Sequence, residues 1–314
     1  MDWLLVALGL VILLLAGDVL VKGAVNLSLR LGVPALIVSL TIVAFGTSAP
    51  ELLISISAIN EGAAGLAMGN VVGSNTANIL LVLGVPAILA GLHTSDCDTK
   101  KTYSFMILAS LLFIGLAFTG EFTWMHGLVL LAALAFVLGD SFRDARRHQR
   151  AGEASPEEEL EEADPDIPGW KIGLFLVLGL IGLPLGAELL VEGSTDIARD
   201  FGISETVIGL TLVAVGTSLP ELATTVAAAL RKQADVALGN VIGSNMFNLL
   251  AIIGIASFVG PIPVSQGILD FDLWIMLGAS LVLAPFVFLK WNMGRVAGIA
   301  LTGAYIAYLI LLLA

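Results

Sequence analysis

The chain has 314 residues, 58% of them hydrophobic and 13% charged, with a mean hydropathy of +0.99. A soluble domain carries roughly 25% charged residues, so long apolar runs separated by short polar breaks read as a multi-spanning membrane protein. The formal charge of −12 argues against nucleic acid as a partner, and one cysteine, Cys97, allows neither an internal disulfide nor a cysteine-rich metal site.

The start, Met1-Asp2-Trp3, has no basic stretch ahead of the first apolar run, which is therefore read as a retained helix and not a cleaved signal. Hydropathy gives ten spans, at about 3–21, 33–59, 65–92, 102–119, 123–141, 170–191, 203–229, 235–259, 272–289 and 296–313. Spans 2, 3, 7 and 8 are interrupted by Gly, Pro, Ser, Thr and Asn, and the others are plainer. Trp3, Trp124, Trp170, Trp274 and Trp291 all fall near span ends, as an aromatic belt requires. With the N-terminus outside, 13 of the 14 Lys and Arg residues lie in inside segments, Arg199 being the exception. This predicts a multi-pass protein of the cell (inner) membrane with both termini outside.

Residues 142–169 join two halves, 1–141 and 170–314. The joining segment begins Arg-rich and turns acidic, with Glu153, Glu157, Glu158, Glu159, Glu161, Glu162, Asp164 and Asp166, and reads as a solvated cytoplasmic linker without a calcium-loop pattern. The halves align without a gap at an offset of 170 residues, which pairs Asp18 with Glu188, Gly32 with Gly202, Glu51 with Glu221 and Gly69 with Gly239. Each half holds five spans, an odd number, so the second copy enters the membrane upside down. Inverted repeats with broken helices at matching positions mark a transporter with its site near the midplane.

Residues 40–52 read Leu-Thr-Ile-Val-Ala-Phe-Gly-Thr-Ser-Ala-Pro-Glu-Leu, and residues 210–222 read Leu-Thr-Leu-Val-Ala-Val-Gly-Thr-Ser-Leu-Pro-Glu-Leu. Each copy places a carboxylate, Glu51 or Glu221, deep in an apolar segment, at a cost of about 3 kcal/mol on insertion scales. On a helix Thr47 lies four residues before Glu51 and Ser48 three before it, so all three share a face; Thr217, Ser218 and Glu221 repeat this. Pro50 and Pro220 lack an amide hydrogen, so the Gly46 and Gly216 carbonyls lose their helical donors. Backbone oxygens of Ala44, Gly46 and Thr47, and of Ala214, Gly216 and Thr217, are thereby offered to a cation. A second motif, Gly-Asn-Val-Val-Gly-Ser-Asn-Thr-Ala-Asn at 69–78 and Gly-Asn-Val-Ile-Gly-Ser-Asn-Met-Phe-Asn at 239–248, is identical at seven of ten positions. Its Gly-x-x-x-Gly lets helices approach closely, and Ser74 with Asn78, like Ser244 with Asn248, share a face. The ligand set is all oxygen, which suits a hard cation, and a flexible cage suits calcium better than magnesium. Two carboxylates neutralise one divalent ion or two monovalent ions of similar size, which is what exchange requires.

Gly-Thr-Ser-x-Pro-Glu followed by Gly-Asn-Val-x-Gly-Ser-Asn-x-x-Asn, repeated in inverted form over the whole chain, resembles the cation/calcium exchanger superfamily and within it the prokaryotic sodium/calcium exchangers. The resemblance implies an all-α membrane protein of ten helices in two inverted five-helix repeats, with spans 2, 3, 7 and 8 as a core around the ions. It implies calcium between Glu51 and Glu221 with the Thr47 and Thr217 carbonyls. Thr47, Ser48, Ser74 and the Ala44 carbonyl would serve an inner sodium site, and Thr217, Ser218, Ser244 and the Ala214 carbonyl an outer one. Asn78 and Asn248 would line the middle, and spans 1 and 6 would slide across the core. Potassium-dependent members carry Asp where this chain has Asn248, so no potassium dependence is expected.

The function expected is therefore a secondary antiporter that exchanges sodium for calcium, in the direction of calcium efflux, with no cofactor and with the two ions and the bilayer as partners; the sequence leaves the oligomeric state, a monomer included, open. A calcium/proton exchanger using the same two glutamates is the alternative, and a cation channel a more distant one. No Gly-x-Gly-Asp, His-Glu-x-x-His or Gly-x-Ser-x-Gly pattern points to an intramembrane enzyme. Asp18 is expected to pair with Lys22 one turn on, Glu188 and Glu192 to form an outer vestibule, and His93, His126 and His148 to be solvated.

Overall fold

The computed structural model describes residues 2–60, 62, 64–151, 167–201 and 214–313. Nearly all of them are helical. Among the described residues nine stretches are long and apolar enough to cross a membrane, and span 7, described from Ala214 onward, adds the shorter apolar helix Leu219–Leu230. The acidic part of the linker and the start of span 7, with Gly202, lie outside the described residues.

Spans 3 and 8 form the centre. The apolar window of span 8 is entirely buried and that of span 3 is 78% buried, against 22% for spans 5, 6 and 10. These two carry the Gly-Asn-Val motif, and their polar residues face protein instead of lipid. Spans 2 and 7 pack against them, with spans 4, 5, 9 and 10 outside. All five tryptophans are exposed.

Two loop contacts report the inverted relation. Strand β1 (Glu121–Phe122), between spans 4 and 5, pairs antiparallel with β2 (Ile262–Pro263), between spans 8 and 9. Leu92, after span 3, bridges to Met293, after span 9. Loops following even spans meet at one end and loops following odd spans at the other, as ten crossings demand.

Span 1 differs from the expected 3–21: its helix runs Asp2–Leu31. Lys22 and Arg30 do not stop it, because long basic side chains reach polar surroundings while the backbone stays helical. At 1.5 Å per residue it is about 45 Å long, more than the roughly 30 Å hydrocarbon layer. It stops at Gly32, whose φ of +63° suits a residue without a Cβ. Gly32 N–H donates to the Leu29 carbonyl at 3.1 Å and Val33 N–H to the Ser28 carbonyl at 3.0 Å, a Schellman cap. Span 5 is likewise longer, Trp124–Ala151, so the Arg-rich start of the linker continues its helix.

Span 1 lies antiparallel against span 6, Gly169–Asp200, with the backbones almost touching. A Cβ at Gly9 would sit 2.6 Å from the Leu190 nitrogen, and one at Gly186 would sit 2.9 Å from the Leu13 nitrogen and 3.0 Å from the Gly9 carbonyl oxygen. The seam is built from Gly9, Ala16 and Gly23 on span 1 and Gly179, Gly186 and Gly193 on span 6, each series at seven-residue spacing and related by the offset of 170.

The expected Asp18–Lys22 pair is not formed. Asp18 Oδ1 accepts from Arg231 Nε at 2.7 Å and from Arg231 Nη2, at the end of span 7, while Lys22 lies 5.8 Å from the Phe175 ring centre. Span 1 crosses span 7 so closely that a Cβ on Gly17 would meet the Ala223 carbonyl oxygen at 2.8 Å, and this crossing brings the Arg fork to Asp18. His126 is not simply solvated: its Nδ1 accepts the Thr123 N–H at 3.1 Å at the start of span 5. His93 is exposed, and the His148 side chain is outside the described ones. Cys97 is buried in the loop after span 3, where burial and Asp235 hold its thiol well above the ordinary range and so protonated.

Gly186→Leu is expected to force the two long helices apart, costing about 1–3 kcal/mol and lowering the thermal midpoint of the detergent-solubilised protein. Gly303→Ala, whose added Cβ meets no described atom within 4 Å, should leave the midpoint unchanged.

Candidate cation site

The Gly-Thr-Ser-x-Pro-Glu stretches break their helices in the same way. Span 2 consists of Ala35–Val38, a π turn at Ser39–Val43, Ala44–Thr47, and Ala49–Asn60. Ser48 interrupts it at φ −86°, ψ 3°, and Ser218 interrupts span 7 at φ −88°, ψ 5°. Across the first break Ser48 N–H donates to the Ala44 carbonyl at 3.1 Å and Leu52 N–H to the Ser48 carbonyl at 3.3 Å. Glu51 N–H turns to its own carboxylate, as Glu221 N–H does in the second copy. With Pro50 unable to donate, the Gly46 and Thr47 carbonyls are left without helical donors.

The two glutamates are each 1% exposed and close enough for each to feel the other's charge. Glu221 Oε1 accepts from Ser48 Oγ of the opposite repeat at 3.3 Å, and the Thr47 and Ser244 hydroxyls lie within reach of the same carboxylate. Glu51 Oε2 and Glu221 Oε2 are buried with no donor among the described residues. Ionised carboxylate oxygens only accept, so a buried one without a donor costs several kcal/mol unless a cation faces it or the group takes up a proton.

Of the other expected residues, Thr47, Ser48 and Ser244 gather around the Glu221 carboxylate. Thr47 Oγ1 donates to the Ala44 carbonyl or the Asn240 Oδ1, each at 3.3 Å, and lies 3.4 Å from Ser244 Oγ. Ser74 is buried, and Ser218 Oγ is buried without a described partner. Asn78 Nδ2 donates to Asn245 Oδ1 at 3.1 Å, leaving Asn78 Oδ1 unpartnered, and neither amide atom of Asn248 has a described partner. The Ala44 carbonyl is already used by Ser48 N–H and the Thr47 hydroxyl, so it reaches an ion only if Thr47 turns away. In the second copy Ser218 N–H bonds the Val215 carbonyl at 3.0 Å and not that of Ala214. Thr217 is half-buried and lines a cleft of about 330 Å³ with Pro50, Pro220, Pro184 and Glu188. The cleft reaches both helix breaks. Glu188 lines it and is exposed, as is Glu192. Among the described residues no three His, Cys, Asp or Glu side chains converge, so the site is two carboxylates among neutral oxygens.

A family profile described as "Sodium/calcium exchanger protein" matches residues 1–141 and 171–314. This chain belongs to the sodium/calcium exchanger family. Its relatives include "Sodium/calcium exchanger MaX1" of Methanosarcina acetivorans, 35% identical with 99% of this chain and 98% of that one aligned. "Inner membrane protein YrbG" of Escherichia coli (strain K12) is 33% identical over 98% of this chain and 95% of its own. The solved structure of the sodium-calcium exchanger NCX_Mj, soaked with 2.5 mM Na+ and 1 mM Sr2+, superposes with a TM-score of 0.83 at 32% identity, over 98% of this chain and 97% of that one. Family membership makes the chain a transporter and not an enzyme.

This exchanger-family protein also uses residues that the motif reading quoted without a role. Asn70 Nδ2 donates to the Glu51 carbonyl and to Ser55 Oγ, both at 3.2 Å. Asn240 Nδ2 donates to the Glu221 carbonyl at 3.4 Å and to Thr225 Oγ1 at 3.2 Å. The two sets are related by the offset of 170. Each ties a glutamate turn to the neighbouring central span. The identity of both asparagines in the two copies was the available signal. The π turns at Asn78–Val82 and Phe247–Ile252 gave no signal of their own.

Asn240→Ala should remove the tie to the Glu221 turn and lower unfolding stability by about 1–3 kcal/mol, seen as a reduced thermal midpoint; an unchanged midpoint would show that the tie carries no load.

Proposed function

We propose that the protein is a sodium/calcium antiporter in which one calcium ion, held between Glu51 and Glu221, alternates with sodium ions in the same oxygen-lined pocket. The observation that carries this reading is the pair of buried carboxylates, one from each inverted repeat, each with an oxygen that no described donor satisfies. Calcium neutralises both at once, and sodium ions do so together with the hydroxyls of Ser48, Ser74, Ser218 and Ser244 and the opened Thr47 and Thr217 turns. Asn78 and Asn248 supply amide oxygens between the two. Because both middle positions are neutral, the exchange needs no potassium.

Alternating access follows from the long pair, spans 1 and 6, sliding across the core formed by spans 2, 3, 7 and 8. Their close backbone contact ties them into one unit, and the cleft beside Glu188 and Thr217 lies between span 6 and the core. With the N-terminus outside, that cleft is the outer entrance, the protein sits in the cell membrane with residues 142–169 in the cytoplasm, and the sodium gradient drives calcium out. If more than two sodium ions exchange per calcium, each extra charge adds about 2.3 kcal/mol per 100 mV of membrane potential.

In proteoliposomes, a sodium gradient should drive calcium uptake at constant pH, and a pH gradient without sodium should not. Uptake under the pH gradient alone would replace sodium by protons. Glu51→Gln and Glu221→Gln should each abolish transport while the protein remains monodisperse and folded; near-normal exchange by either would refute the assignment.

A further inference from the structure

The amides around the middle of the site are arranged unequally in the two repeats. Asn78 Nδ2 donates to Asn245 Oδ1 at 3.1 Å, and Asn245 Nδ2 donates to the Asn75 carbonyl at 3.2 Å. Asn245 thereby fixes which way the Asn78 amide points: nitrogen to Asn245, oxygen free. The offset of 170 maps Asn75 onto Asn245 and Asn78 onto Asn248, yet the second half of the pattern is missing. Asn75 Nδ2 donates instead to the Val71 carbonyl of its own helix at 2.7 Å. Asn75 Oδ1 and Asn248 Nδ2 are both buried without a described partner. These are the acceptor and the donor that the mirror arrangement would join. The elements that carry them pack against each other, as do those that carry Asn78 and Asn245.

We propose that Asn75 and Asn245 are positioning residues of an amide switch, in which Asn245 holds Asn78 in the present state and Asn75 holds Asn248 in the oppositely open state. The inference rests on the exchanger reading above. The pseudo-two-fold axis of an inverted repeat relates each face of the protein to the other, so a bonding arrangement made by one copy in one state is open to the other copy in the opposite-facing state. The trade is complete here atom by atom. Asn75 Nδ2 leaves the Val71 carbonyl for the Asn245 carbonyl, Asn245 Nδ2 turns back to the Val241 carbonyl, and Asn248 Nδ2 takes Asn75 Oδ1. The number of bonds is unchanged, so neither state is penalised. In each state one middle amide presents a fixed oxygen to the ion and the other is free to turn.

The test measures calcium transport by the full chain in oriented proteoliposomes, with calcium varied on one face at a time. Asn245→Ala should raise the apparent KM about fivefold at the outer face and leave the inner face within about twofold, and Asn75→Ala should do the reverse, as expected for losing one positioning hydrogen bond in one state only. Equal changes on both faces, as from a merely structural role, or no change in either variant would overturn the switch. Wild-type protein run alongside separates the two readings: sodium-driven flux without a sided effect of the variants refutes the switch alone, and absence of wild-type flux refutes both. Should the alanine variants not fold, a structure of the wild-type chain open to the inner face decides: an Asn248 Nδ2 to Asn75 Oδ1 bond is expected there, and persistence of the Asn78–Asn245 bond would overturn the proposal.

Discussion

Two acceptor-only groups buried side by side set the terms for the rest of this molecule. Glu51 and Glu221 repel each other, and each keeps one oxygen that the described protein does not satisfy. In a low-dielectric interior such a pair needs neutralising, by a bound cation or by protons. The nearby donors do not remove the need. Ser48 donates to one oxygen of Glu221, and each glutamate takes its own backbone N–H, which orients the carboxylates without neutralising them. The protein spends helix regularity, two prolines and two opened turns to hold the pair in place. An all-oxygen lining of this kind suits hard cations.

The chain solves a geometric problem by duplication. The inverted repeat brings the two helix breaks together, with Ser48 of one copy against Glu221 of the other. The same relation recurs away from the site, in Asn70 and Asn240 tying down the glutamate turns, in β1–β2 at one end and Leu92–Met293 at the other, and in the glycine seam of spans 1 and 6. The core is held by buried amides and hydroxyls between helices. The outer pair is held by close backbone contact, with Asp18 and Arg231 as its ionic link to the core.

Much of this was legible in the sequence because the two copies agree at polar residues inside apolar segments, where each polar group is costly and so informative. Ten spans, the inverted relation, the broken helices and the gathering of Glu51, Glu221, Thr47, Ser48 and Ser244 all follow from that. What was hidden depends on three-dimensional contacts. Span 1 passes Lys22 and Arg30 because nothing local stops it before Gly32. Asp18 finds Arg231, 213 residues away, because span 1 crosses span 7 there. The π turns at Asn78 and Phe247 are encoded by no propensity rule. The unequal amide bonding of Asn75 and Asn245 cannot be read from residues that are identical in the two copies.

The most direct test of the central claim is anomalous diffraction from crystals of the protein soaked with strontium in place of calcium, with and without excess sodium. A single strong peak bounded by the carboxylates of Glu51 and Glu221, lost when sodium is raised, is the predicted result. A peak elsewhere, or no peak between the two glutamates at saturating strontium, would contradict it.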